Sequence, residues 1–208
     1  MVEAATVSDV LDGMGIRNQG LSPSIQGVTG TVVAGWAYTI TGQSAPYDGG
    51  GDPKKMAACH GIGPDEVSVW SGNGTGVCYF GELIALGMAE RGCAGAIIDG
   101  GLRDIRALRE HGFTAFAAYR SAVQSIGRWR VTDYQVPIYL SGATTTWVQV
   151  NPGDFVLGDE DGVVVVPAGV VDDVLEAAEA MTATETRVRA SLKDGMTLEQ
   201  ALERYGHV

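Results

Sequence analysis

Two short runs near the middle of the chain, Gly81-Glu82-Leu83-Ile84 and Leu102-Arg103-Asp104, carry residue types that could do chemistry together. Each opens a helical pattern just after an apolar run, so each presents backbone N–H groups that have no intrahelical acceptor. Such groups attract anions, and a guanidinium adds a planar fork for a carboxylate. Gly81, Glu82, Leu83, Ile84 and Arg103 are therefore candidate binding residues for a small carboxylate. A 2-oxo acid held there leaves its keto oxygen in need of a Lewis acid. Asp104 is the candidate metal ligand, one carboxylate completed by waters around a hard divalent cation. The plain alternative is structural: an acid in a first helical turn favours the helix dipole, and the arginine beside it could pair with a carboxylate elsewhere.

A third carboxylate stands out of pattern. Val171, Val174, Ala178, Met181, Val188 and Leu192 follow the alternating spacing of three and four that a helix buries, and Glu185 interrupts that stripe. A carboxylate in such a seam is costly unless paired. Two arrangements satisfy it: a buried salt bridge to an arginine, such as Arg187 or Arg189 of a neighbour, or delivery of Glu185 across a subunit interface to the cation's water shell in the adjacent protomer. The lysines, Lys54, Lys55 and Lys193, all lie in turn-like or exposed contexts, so the desolvated amine of a Schiff-base aldolase is not expected. The glycine run at 49–51 is followed by no Gly-Lys-Ser/Thr and reads as the lip of a site within loop 43–60 rather than a phosphate loop. His60 reads as a loop or helix-end residue.

The elements that must position these groups follow from apolar periodicity. A short helix is expected over 6–14, capped by Thr6 or Ser8 and stopped by Gly15. One long strand or two short ones are expected over 27–42, a short helix around 54–59, and strands at 67–70 and 77–80. A helix over 82–91, apolar on most sides, should pack on both faces. The run AGAIID (94–99) reads as a buried parallel strand, Gly100-Gly101 as a tight turn, 103–110 as a helix, and FTAFAA as a returning strand. Strand-helix-strand alternation of this kind puts a ligand beyond the strand C-terminal ends. Segment 119–135, with Arg120, Arg128 and Arg130, reads as irregular. VPIYL, WVQV, FVLG and VVVVP read as short antiparallel strands, followed by a long helix from about 169 and a last helix that Thr197 and Gln200 open with a capping box.

Composition narrows the class. The 208 residues, 45% of them hydrophobic, suffice for one α/β domain spanning 1–208. A net charge of −11 with no basic stripe argues against nucleic acid as a partner. Cys59, Cys78 and Cys93 have no CxxC spacing, the N-terminus is acidic, and no apolar run reaches a membrane span. A cytoplasmic protein that does not enter the membrane is expected.

With these residues in view, the chain resembles the RraA-like family, whose members include divalent-metal-dependent 4-hydroxy-4-methyl-2-oxoglutarate/4-carboxy-4-hydroxy-2-oxoadipate aldolases. The matching stretches are TVSDVLDGMG, GELIALGMAERGCAGAIIDGGLRD, GRWR, NPGDFVLGDEDGVVVVP and TETRVR with ERYG, which together reach across nearly the whole chain. The resemblance implies an α/β sandwich with a small barrel-like β core and a mixed sheet, assembled as a homotrimer or homohexamer with the site between subunits. It implies that Arg103 binds the pyruvyl carboxylate, that Asp104 ligates Mg²⁺ or Mn²⁺, and that the amides of 82–84 complete the anion site. Glu82 stands where the aldolases carry an acid that orders a metal-bound water, and Glu185 matches the acid given by the neighbouring subunit. The implied activity is class II cleavage of 4-hydroxy-2-oxo acids to pyruvate, with oxaloacetate decarboxylation beside it. The alternative within the same family is a non-catalytic regulator that binds ribonuclease E or a helicase. The acid at Glu82, loop 43–60 and a long turn at SGATTTWVQV depart from the family's usual pattern. A methyltransferase is not indicated, because no GxGxxG follows a strand.

Overall fold

The computed structural model describes residues 2–48, 50–72 and 76–206. Part of the glycine run, at position 49, and the centre of the turn after residue 71 lie outside the described residues. Among the described residues, eleven strands and six α-helices alternate along the chain. Nine strands form one mixed sheet, and β8 (Ile138–Ser141) and β9 (Trp147–Val150) form a separate antiparallel pair. The path across the large sheet is β1 (Gln26–Thr29), β6 (Ala115–Arg120), β5 (Gly95–Leu102), β3 (Glu66–Ser71), β2 (Val33–Ser44), β10 (Phe155–Gly158) and β11 (Val163–Val166), with β4 (Cys78–Phe80) on β5 and β7 (Trp129–Tyr134) on β2. Neighbours among β2, β3, β5 and β6, and the pair β4 and β5, run parallel; the other pairings are antiparallel. It is a mixed α/β fold whose sheet curls into a half-barrel.

Alternation along the strands explains the layers. In β5, Ala96 and Ile98 face one cluster while Ile97 faces another, so the strand is buried on both sides and reads as a continuous apolar run. The same holds in β11, where Val163 and Val165 face the half-barrel interior, closed by β8 and β9, and Val164 and Val166 face outward to α1 (Ala4–Gly13) and α5 (Val171–Lys193). Farther along the outer face, α2 (Pro53–Gly61), α3 (Glu82–Ala89) and α4 (Ile105–Glu110) cover the cluster that holds Tyr38, Trp70, Phe80 and Trp129. No helix of the described residues is long and apolar enough to cross a membrane.

Several expected boundaries shift for physical reasons. Residues 27–42 resolve into β1 and the long β2. Helix α1 begins before Thr6, which is buried, because the side chain of distant Asp159 accepts from the Ala4 N–H at 2.7 Å and satisfies the helix start. Helix α3 packs on one side only: Ala85 and Met88 are buried, but Leu83 is 81% exposed. Gly100-Gly101 is not a turn but part of β5. A Cβ on Gly100 would lie 1.8 Å from the Tyr79 ring and one on Gly101 2.3 Å from the Val77 carbonyl oxygen, so these glycines let β4 lie against β5. Segment 119–135 is not wholly irregular, since β7 extends along the second half of β2. The last helix, α6 (Leu198–Tyr205), has the expected capping box between Thr197 and Gln200.

Candidate active site

Because β4 and β5 are parallel neighbours, the helices that follow them start at the same end of the sheet. The chain turns from β5 into α4 through Arg103 and Asp104, and Asp104 takes the left-handed conformation (φ 60°), which aspartate tolerates better than most residues. That conformation redirects its carboxylate. Asp104 makes no side-chain cap on its own helix; instead Oδ2 accepts from the Glu82 backbone N–H at 3.2 Å, at the start of α3. Asp104 stands at the N-cap of α4 but spends this oxygen on the start of α3 rather than on its own helix. The two helix starts meet through its side chain.

Arg103 completes the corner. Its backbone N–H donates to the Phe80 carbonyl at 3.1 Å, tying the end of β5 to the end of β4, and its Nε lies 3.4 Å from Asp104 Oδ2. The contact uses Nε, so the Nη groups, the fork that suits a carboxylate, are not spent on Asp104. Both side chains are about two-fifths exposed, at 42% and 40%, and an ion pair in that setting adds little to stability. The pair is therefore not a main support of the fold, and both groups remain partly open to solvent. Leu83 and Ile84 add backbone N–H groups of the first helical turn, which have no intrahelical acceptor. Gly81 is the N-cap, in extended conformation, and Glu82 lies beside it with Oε1 3.1 Å from His111 Nε2.

The structure places Gly81, Glu82, Leu83, Ile84, Arg103 and Asp104 around one corner where the two helix starts meet. Glu185, expected at the site of an adjacent protomer, does not lie with them in its own chain. Helix α5 lies with α1 over β10 and β11, at the far side of the sheet path from β5, and Glu185 Oε2 accepts from Arg189 of its own helix at 2.7 Å. Glu185 is paired within its own helix, by Arg189 one turn on, in a partly exposed contact rather than the buried bridge to a neighbour's arginine that the stripe suggested. His111 was invisible in sequence: 29 residues separate it from Glu82, and only the packing of α4 beside α3 joins them.

Lys55 corrects the lysine census. It is 8% exposed, sits on α2, and its Nζ donates to the Tyr79 carbonyl between the rings of Trp70 and Trp129, 5.6 and 5.8 Å from their centroids. Burial lowers its pKa from the ordinary lysine value. Lys55 is therefore the desolvated lysine that the sequence did not lead one to expect, with its amine hydrogen-bonded to the Tyr79 carbonyl and lying against two indole rings.

Among the described residues no three His, Cys, Asp or Glu side chains gather into a metal cage. The donor set at the crevice suits a different kind of site. Asp104 contributes a hard, partly exposed carboxylate whose second oxygen is not used by Glu82 or Arg103, which fits a divalent cation that keeps most of its waters. A separate cavity of about 770 Å³ lies against Trp36, Phe155, Val174 and Leu175, and none of the crevice residues lines it. Its lining is mostly apolar, and the charged groups on it are carboxylates (Glu3, Asp159, Glu160, Asp161 and Asp172) with no arginine or lysine among them, so it does not suit an anionic 2-oxo acid, and the Arg103 corner is the better chemical candidate for that substrate.

A family model described as RraA-like, Aldolase/RraA, matches residues 4–165. The chain belongs to the RraA-like family. RraA-like relatives extend the match to nearly all of it: a Halalkalibacterium halodurans protein, provisionally named a 4-hydroxy-4-methyl-2-oxoglutarate aldolase, is 29% identical over 99% of this chain and 92% of its own. Protein DlpA of Legionella pneumophila is 30% identical over 97% of this chain, which spans only about a third (32%) of DlpA. Among solved structures, Streptomyces coelicolor RraAS2, described as an unusual member of the RNase ES inhibitor RraA protein family, superposes with a TM-score of 0.78 at 26% identity, covering 91% of this chain and 93% of that one. The RraA-like fold is thus established for the chain, and its relatives bear both aldolase and inhibitor names.

Proposed function

We propose that the protein is a divalent-metal-dependent class II aldolase that cleaves 4-hydroxy-2-oxo acids, such as 4-hydroxy-4-methyl-2-oxoglutarate, to pyruvate, and that it also decarboxylates oxaloacetate. The observation that carries this reading is the meeting of two helix starts through Asp104, with Arg103 and Glu82 on the same crevice. Aldolase names among the relatives support the lyase class. Arg103 and the amides of Leu83 and Ile84 bind the carboxylate of the 2-oxo acid and orient the keto oxygen toward Asp104. Asp104 would hold Mg²⁺ or Mn²⁺, which when bound supplies Lewis-acid stabilisation to that oxygen. Loss of the 4-hydroxyl proton to a base reached through water breaks the C3–C4 bond, and the negative charge that develops on pyruvate is stabilised beside the Arg103 guanidinium. Glu82, through a water, returns a proton to C3. Oxaloacetate loses carbon dioxide to give the same enolate, so both activities use one set of residues.

The site is open in one chain, and we place its completion in a homo-oligomer, a trimer or hexamer, with Glu185 supplied by a neighbour. The free state of Cys59, Cys78 and Cys93 supports a reducing, cytoplasmic setting. A second reading, a regulator binding ribonuclease E or a helicase, draws on the likeness to RraAS2. Keeping Arg103, Asp104 and Glu82 together favours the enzyme, because a surface-binding regulator has no use for them. The test is pyruvate release from both substrates with Mg²⁺ and with EDTA. Metal-dependent release that falls at least a hundredfold in Asp104→Ala is expected; turnover unaffected by EDTA, or none on either acid, would overturn the aldolase reading.

A further inference from the structure

His111 closes α4 on a rigid corner. Its N–H donates to the Ala107 carbonyl at 2.9 Å, Gly112 follows with φ +68° and donates to Arg109 O at 3.1 Å, and Phe113 donates to Leu108 O at 3.0 Å. This is a left-handed glycine termination, which fixes where the residue before it points. Phe113 then stacks on Phe80, with ring centroids 5.6 Å apart. Phe80 is the residue directly before Gly81-Glu82. The backbone that carries His111 and the backbone that carries Glu82 are therefore locked to each other by a buried aromatic pair, and the 3.1 Å contact between His111 Nε2 and Glu82 Oε1 spans that fixed gap.

We propose that His111 is a positioning residue for Glu82. An ionised carboxylate only accepts, so Nε2 carries the proton and donates to Oε1. The bond removes the rotational freedom of a long side chain at an otherwise open helix start, and it leaves Oε2 to hold the water that returns the proton to C3. His111 touches neither substrate nor cation; it acts through Glu82. This role rests on the function proposed above, and the experiment separates the two.

Exchange of the pyruvate C3 protons for deuterium, followed by NMR with Mg²⁺ present, reads proton transfer at C3 without the cleavage step. His111→Leu is expected to slow exchange about tenfold with KM for pyruvate within about twofold, the size of effect expected when a proton-transfer group is held less well. His111→Gln, whose amide still donates, is expected to recover most of the rate. In Glu82→Gln the further change His111→Leu is expected to add nothing. A readout free of metal and substrate accompanies these: the His111 Nε2 nitrogen resonance shifts between the parent chain and Glu82→Ala. Parent-like exchange in His111→Leu, an equal loss in His111→Gln, additive losses in the double variant, or an unmoved nitrogen resonance would each overturn the role of His111 while leaving the aldolase reading standing. A parent chain that exchanges no C3 protons overturns the aldolase reading and this role with it.

Discussion

Gly81 is glycine for reasons of space, not of backbone freedom. Its φ of −160° is open to any residue, yet a Cβ there would lie 2.6 Å from Asp104 Oδ2 and 3.2 Å from Arg103 Cγ. The atom in the way is the end of a side chain, so the fold can accommodate Gly81→Ala by pushing the Asp104 carboxylate away from the Glu82 N–H. Gly81→Ala should therefore melt close to the parent chain while losing roughly ten- to a hundredfold in kcat, the scale expected for a displacement near 1 Å in a catalytic group. Parent-like turnover, measured beside a thermal melt, would mean that Asp104 need not stay where it is. Arg103, Asp104 and Glu82 were legible in the sequence because each sits where an apolar run gives way to a helix, a purely local signal. Lys55 and His111 were not, because Trp129 and Glu82, which decide what they do, lie far along the chain and arrive only with tertiary packing.

At the scale of elements, α2 buries more titratable chemistry than its turn-like flanks suggest. Burial pushes the Cys59 thiol from 9.0 up to about 12, and burial together with Tyr134 and Glu66 pushes the Tyr38 hydroxyl, packed under the same helix, from 10.0 to about 12. The Cys78 and Cys93 thiols are raised by burial as well. For a raised thiol the folded chain keeps its proton where the unfolded chain has lost it, so between 9.0 and about 12 stability falls as pH rises. Lys55 has the opposite sign. Its folded value is lowered, so below the ordinary value of 10.5 the unfolded chain binds the extra proton and stability climbs with pH. The thiols and tyrosine outnumber the one lysine, and net alkaline destabilisation is expected, on the order of 1 kcal/mol per pH unit for each group in its window. Cys59→Ala should flatten the fall of urea-unfolding free energy above pH 9 by about one group's slope, whatever it does to stability at pH 7. An unchanged slope would mean that this thiol does not stay protonated in the fold. The same scale shows why boundaries were misread: Gly100-Gly101 looks like a turn in sequence because the Tyr79 ring that requires it belongs to another strand.

For the whole molecule, the long helix α5 is where a site shared between chains can be tested. Helix α5 has 23 residues, about 34 Å at the usual rise, whereas α1, which packs beside it, has 10 and spans about 15 Å. Its first turns are buried with α1 through Val174 and Ala178, while the later part carrying Glu185 and Val188 is met by α6, pinned by Ser191 Oγ 2.8 Å from Tyr205 Oη. The second half of α5 thus has α6 as its neighbour, with the Glu185 side chain 23% exposed. If each site takes Arg103 from one protomer and Glu185 from the next, Arg103→Ala and Glu185→Ala chains, each nearly inactive alone, should complement when co-expressed. Random assembly around a closed ring places an intact Arg103 opposite an intact Glu185 at about one interface in four, so recovery of about a quarter of parental activity is expected. Mixed assemblies confirmed by mass spectrometry that show no recovery would confine the site to one chain. In that case Glu185 would serve only its own chain, with Arg189 among its partners, and the partly exposed Arg103 would act without α5.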